Sequence, residues 1–236
     1  MGKLDKNRKP MRVGGMAFFS SLFFLSVLAI LNFCLLTKLW SSEAFVHLQS
    51  FALGVVPGLF VAAYFIQGRG SVLIHEFKHS LVSGLVGNRA RSMNVKKDSG
   101  HFEYEYTKHT AQYNAFISMA PYITPLFTIP AAALAFAFWR QSHDLMCVVV
   151  GMGYGIDLLL NMRDISRRQT DITMIRGGYL VGVLYIAAMN AAILSILLAW
   201  VFEDTIGLQY LLYGLWHLVL QIVAYYRAAP AALSSL

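Results

Sequence analysis

Apolar stretches of bilayer-spanning length recur along this 236-residue chain, and nothing else in it constrains the fold as tightly. They run near residues 16–39, 45–66, 71–87, 112–139, 145–162, 178–201 and 208–226. In hydrocarbon every backbone N–H and C=O must be satisfied within the chain, so only helices or a closed barrel will serve. These runs are too long and unbroken for barrel strands. The expected class is an all-α polytopic membrane protein, with 57% hydrophobic and 13% charged residues, far less charge than a soluble domain carries. No repeat or linker divides it, so residues 1–236 read as one membrane-embedded domain.

The net charge of +7 sits in tail and loops. Lys3, Lys6, Arg8, Lys9 and Arg12 form a basic, cytoplasmic tail over 1–15; Arg89, Arg91, Lys96 and Lys97 follow the third segment; Arg163, Arg167, Arg168 and Arg176 follow the fifth. This is the distribution of cytoplasmic loops, and it argues against a nucleic-acid partner. The first segment, Met16 to Leu39, is about 36 Å long as helix and lacks a small-residue cleavage site, so it reads as a retained span. Cys34 and Cys147 form no CxxC pair and read as buried small hydrophobes.

Seven full crossings would leave the basic segments on opposite sides. The third segment offers the exception. Val72 to Val86 is roughly 22 Å as helix, short of the ~30 Å hydrocarbon core, and Gly68 and Gly70 precede it. The expectation is about six transmembrane helices plus a short or re-entrant helix. Between the third and fourth segments, VKKDSGHFEYEY (95–106) has a turn signal at Asp98-Ser99-Gly100 and then alternates, which predicts a small β-hairpin. The fourth segment, with Pro121, Pro125 and Pro130, predicts a kinked helix.

The short third segment carries the chemistry. His75-Glu76-Phe77-Lys78-His79 is an HExxH pattern. On a helix, positions i and i+4 share a face, so both imidazoles reach one metal ion, and Glu76 can hold and deprotonate a water on it. Two histidines and a carboxylate with an open position suit Zn2+. Lys78 points away from that face, free to snorkel to the headgroups. Asp157, Asp164 and Asp171 are the candidates for a third ligand, and spacing does not choose among them.

An HExxH helix, a hairpin, a proline-bearing span (APYITPL) and then an Asp near a later span (QTDI) resemble the intramembrane site-two protease family of zinc metalloproteases, over roughly residues 70–200. The resemblance implies zinc ligands at His75 and His79, a general base at Glu76 and a third ligand at Asp171, within a catalytic core spanning 71–176. It also implies a substrate-binding asparagine, for which Asn161 is the candidate and Asn114 and Asn190 are alternatives. Thr170-Asp171-Ile172 stands where the family has Leu-Asp-Gly, and the Asn-Pro-x-Pro lead-in is missing. The reading is a zinc metalloendopeptidase that cleaves a transmembrane protein substrate within the lipid bilayer. The hairpin, with Phe102 and Tyr104, would hold the unwound strand by edge pairing. The resemblance also implies a bacterial inner membrane. The alternative is a catalytically inactive, metal-binding membrane scaffold or regulatory protein.

Overall fold

A computed structural model describes residues 15–175 and 177–233; the basic tail, apart from Gly15, and Arg176 lie outside the described residues. The order is α1 (Gly15–Trp40), α2 (Phe45–Tyr64), α3 (Arg69–Leu85), β1 (Arg89–Val95), β2 (Gly100–Glu105), a 3-10 turn (Thr110–Tyr113), α4 (Asn114–Ile123), α5 (Thr128–Phe138), α6 (His143–Arg163), α7 (Thr170–Thr173) and α8 (Gly178–Leu233). The chain is mostly helical with one two-stranded antiparallel sheet.

Among the described residues, four helices are long and apolar enough to cross a bilayer: Met16–Trp40, Phe45–Tyr64, His143–Arg163 and Gly178–Gln221. The bent pair Thr110–Ile123 and Thr128–Phe138 makes a fifth if taken as one span. By length and composition these fall short of the six expected. Helix α8 is itself broken where Glu203 and Asp204 leave helical geometry, Asp204 with φ of 53°. In a straight helix, residues eight apart are separated by about 12 Å. Here a Cβ on Gly207 would overlap the carbonyl of Ala199, so the second arm turns sharply back at this break.

The core centres on α6, 61% of whose apolar window is buried, against 6% for α1. Phe51 of α2, Met146, Cys147, Val150 and Tyr154 of α6, and Leu198 and Val201 of α8 form the largest apolar cluster. Cys147 is buried as expected, but Cys34 is exposed on α1. Helices α2 and α6 run parallel in backbone contact. Gly54 and Gly58 abut the α6 main chain at Val148 and Met152, and Gly151 and Gly155 abut the α2 main chain at Phe51 and Val55. Small residues allow this approach where neighbouring helices gain mainly from packing. His47 bonds Asp144 at one end of the pair, and Arg163 bonds the Ile66 carbonyl at the other.

Helix α3 is short, as expected: 17 residues, about 25 Å, starting after Gly68, whose φ is 53°. The proline-bearing segment breaks between α4 and α5 with a bend of 61°. Thr124, ahead of Pro125, takes an extended conformation, as a residue before proline prefers. The hairpin is displaced from the expected 95–106. Its first strand is Arg89–Val95, paired from Arg89↔Glu105 to Val95↔Gly100, with an irregularity at Arg91. That strand, RARSMNV, is almost wholly exposed, so no alternating pattern marks it.

A candidate metal centre on helix α3

The 3.6-residue period of α3 sorts the HExxH side chains onto two faces. His75 and His79 share one, their rings 5.2 Å apart. Asp171, on the single turn of α7, comes to meet them. Its Oδ2 lies 3.5 Å from His75 Nε2 and 3.4 Å from His79 Nε2. The ligand atoms of these three residues all lie within 4.8 Å of one another, so the group could hold a metal ion. A tetrahedral ion with bonds of about 2.0–2.1 Å sets its ligand atoms roughly 3.3–3.4 Å apart, close to the two Asp171 distances of 3.5 and 3.4 Å.

The outer nitrogens are also engaged. His79 Nδ1 is 2.8 Å from the Ile117 carbonyl of α4, an acceptor that places the ring proton on Nδ1 and leaves Nε2 a lone pair facing Asp171. His75 Nδ1 faces Asp164 Oδ2 at 3.4 Å. Burial pushes the Asp171 carboxyl up, but the two imidazoles outweigh it and hold the group below the ordinary carboxylate range.

The three candidate carboxylates therefore have three settings. Asp171 is in the cluster, and Asp164 stands behind His75. Asp157 is elsewhere and fully used: its Oδ2 accepts from Phe127 N–H at 2.8 Å, Thr128 N–H at 2.7 Å and Thr128 Oγ1 at 2.8 Å. It thus caps α5 from outside, satisfying donors that the break would orphan. Its Oδ1 faces Lys78 Nζ at 3.4 Å. Lys78 does point away from the histidines, but it is buried inside the helix bundle rather than extended outward. It is 1% exposed and donates to Asn161 Oδ1 at 2.7 Å.

Glu76 is 6% exposed. The hairpin covers it: a Cβ on Gly100 would collide with Glu76 Oε1 and with Val72. Phe102 and Tyr104 stack with centroids 5.6 Å apart, and Tyr104 packs toward Val82, Ile117 and Ala120. Its hydroxyl donates to Asn114 Oδ1 at 3.3 Å. Asn161 is 2% exposed; it accepts from Lys78 and donates to Asn190 Oδ1 at 3.1 Å, behind the histidine face.

Sequence reasoning named Asp164 only as a possible ligand and not as the partner of His75 Nδ1, and it missed the Ile117 partner, the Gly100 approach and the Lys78–Asp157 pair. Of these the pair carried a signal, since a lone lysine and a lone aspartate in apolar segments each need a counter-charge. No protein-family model, curated protein or solved structure matches the chain.

Proposed function

We propose that this chain is an intramembrane zinc endopeptidase, hydrolysing a peptide bond in or near a transmembrane segment of another protein in a bacterial inner membrane. The observation that carries the reading is the His75–His79–Asp171 cluster, with its two Asp171 contacts of 3.5 and 3.4 Å and Glu76 next along the helix. Zinc bound there would acidify a water and polarise the substrate carbonyl. Glu76 takes the water proton as oxygen adds to the carbonyl carbon, and returns it to the leaving nitrogen as the C–N bond breaks. Asp164 and the Ile117 carbonyl hold the imidazoles in orientation. An unwound substrate strand pairs along the exposed β1 edge, one strand away from Phe102 and Tyr104 on β2. Asn161 is better suited to positioning α3 than to touching substrate, because both ends of its amide are engaged inside the helix bundle.

Six crossings accord with this arrangement: α1, α2, the bent α4–α5 pair, α6 and the two arms of α8, with α3 re-entrant. They return the tail, the hairpin and the Arg163–Arg168 loop to one side. The contacts of α2 with α6 at both ends support the parallel course this requires. The cover over Glu76 favours a second reading, a metal-binding scaffold without turnover. Metal analysis of the purified chain, paired with a comparison of membrane-protein fragments in cells carrying wild type or Glu76→Gln, separates the two. Fragments absent from Glu76→Gln support the protease; a bound metal with identical fragment patterns supports the scaffold.

A further inference from the structure

Tyr122 is 0% exposed, and its hydroxyl has no hydrogen-bond partner among the described residues. A buried phenol normally finds one, and an orphan calls for an explanation. Its ring stands edge-on to His75, centroids 5.5 Å apart at 85°. The carboxylates of Asp171, Asp164 and Glu76 all lie within electrostatic reach of the phenol. The backbone beneath it is fixed. The Tyr122 carbonyl accepts from Asn190 Nδ2 at 2.8 Å; Asn190 accepts from Asn161, and Asn161 from Lys78. Ile172, the residue after Asp171, packs in the same apolar cluster as Tyr122. The ring is thus held beside His75, and near Asp171 through Ile172, with its donor unspent.

We propose that Tyr122 is a catalytic residue whose phenol donates a hydrogen bond to the oxygen of the carbonyl under attack; this rests on the endopeptidase reading. Negative charge grows on that oxygen as water adds, and a fixed donor in a dry site stabilises it without reorganisation. Tyr122 keeps its proton throughout. The water proton travels by Glu76 to the leaving nitrogen, the C–O bond forms and the C–N bond breaks.

The test uses the full chain in detergent with cobalt in place of zinc, so that the visible spectrum reports what reaches the metal. Two probes are titrated into wild type and Tyr122→Phe. Phenylphosphonate offers tetrahedral oxygens like those of the reacting carbonyl, and 2-mercaptoethanol offers only sulfur. The expected result is unchanged cobalt content and thiol affinity, with phosphonate affinity reduced about tenfold to a hundredfold, as for loss of a hydrogen bond to a charged group. Equal phosphonate affinity in the two proteins overturns the proposal. So does an equal loss for both probes, or loss of cobalt from Tyr122→Phe, since either makes the hydroxyl a support for the cluster. Cobalt absent from the wild type overturns the metal-centre reading itself, an outcome visible before any probe is added.

Discussion

Lys78 Nζ lies 3.4 Å from Asp157 Oδ1, and the two side chains are 1% and 3% exposed. The pair ties α3, which carries the histidines, to α6, and Asp157 in turn closes the N-terminus of α5. One ion pair thus ties the rotation of the site helix to α6 without touching the His75–His79–Asp171 cluster.

Breaking that pair leaves one buried charge alone. Lys78→Met should cost about 3 kcal/mol or more of stability, read as a lower midpoint for thermal unfolding in detergent. Lys78→Met with Asp157→Asn, which removes the charge but keeps an oxygen for the Phe127 and Thr128 donors, should be closer to wild type than Lys78→Met alone. A double variant as unstable as the sum of the singles would show that the two residues act independently.

The three aspartates should separate by metal content. On the proposed reading Asp171 is a ligand, so near-complete loss of zinc from purified Asp171→Ala is expected. Asp164→Asn should weaken affinity by about tenfold to a hundredfold, as expected for a group that only orients a ligand. Asp157→Asn, if folded, should hold zinc at the wild-type level. Full zinc content in Asp171→Ala would remove it from the ligand set.

Glu76→Gln keeps the shape of the side chain and removes its basicity. Zinc should stay bound while cleavage falls by at least about a hundredfold. Wild-type cleavage in this variant would remove Glu76 from the mechanism.

Gly100→Ala tests the contact between hairpin and site. The added methyl meets Glu76 and Val72, so the strand or the carboxylate must move. Turnover should drop severalfold with zinc content unchanged. Gly84→Ala, where a Cβ meets nothing within 4 Å, serves as the control and should leave turnover alone.

Tags at residues 5 and 98 should be accessible from the same face of the membrane. Labelling from opposite faces would require α3 to cross fully.

Local rules made half of the site readable. His75 and His79 follow from a four-residue spacing, and the shortness of α3 follows from counting residues between Gly68 and Val86. The partner carboxylate did not follow, because Asp171 reaches the histidines through an intervening hairpin, a broken helix and α6, and spacing carries no information across such a path. Asp157 looked as expensive as a ligand should; its true partners, the N–H groups of Phe127 and Thr128, become orphans only once the bend at Pro125 exists. β1 escaped notice for a simpler reason: with both faces exposed, nothing selects alternation.

The glycine contact between α2 and α6 has a mechanical consequence. Main chain rests on main chain there, with no layer of side chains whose rotamers could yield, so the two helices move as one keel. On the proposed protease reading, a substrate helix would therefore approach the cluster elsewhere than between these two helices. The hairpin is held at Gly100 and Tyr104, and the second arm of α8 is largely exposed from Thr205 to Gln221. On that reading these two peripheral pieces, and not the keel, are where the fold would yield to a substrate.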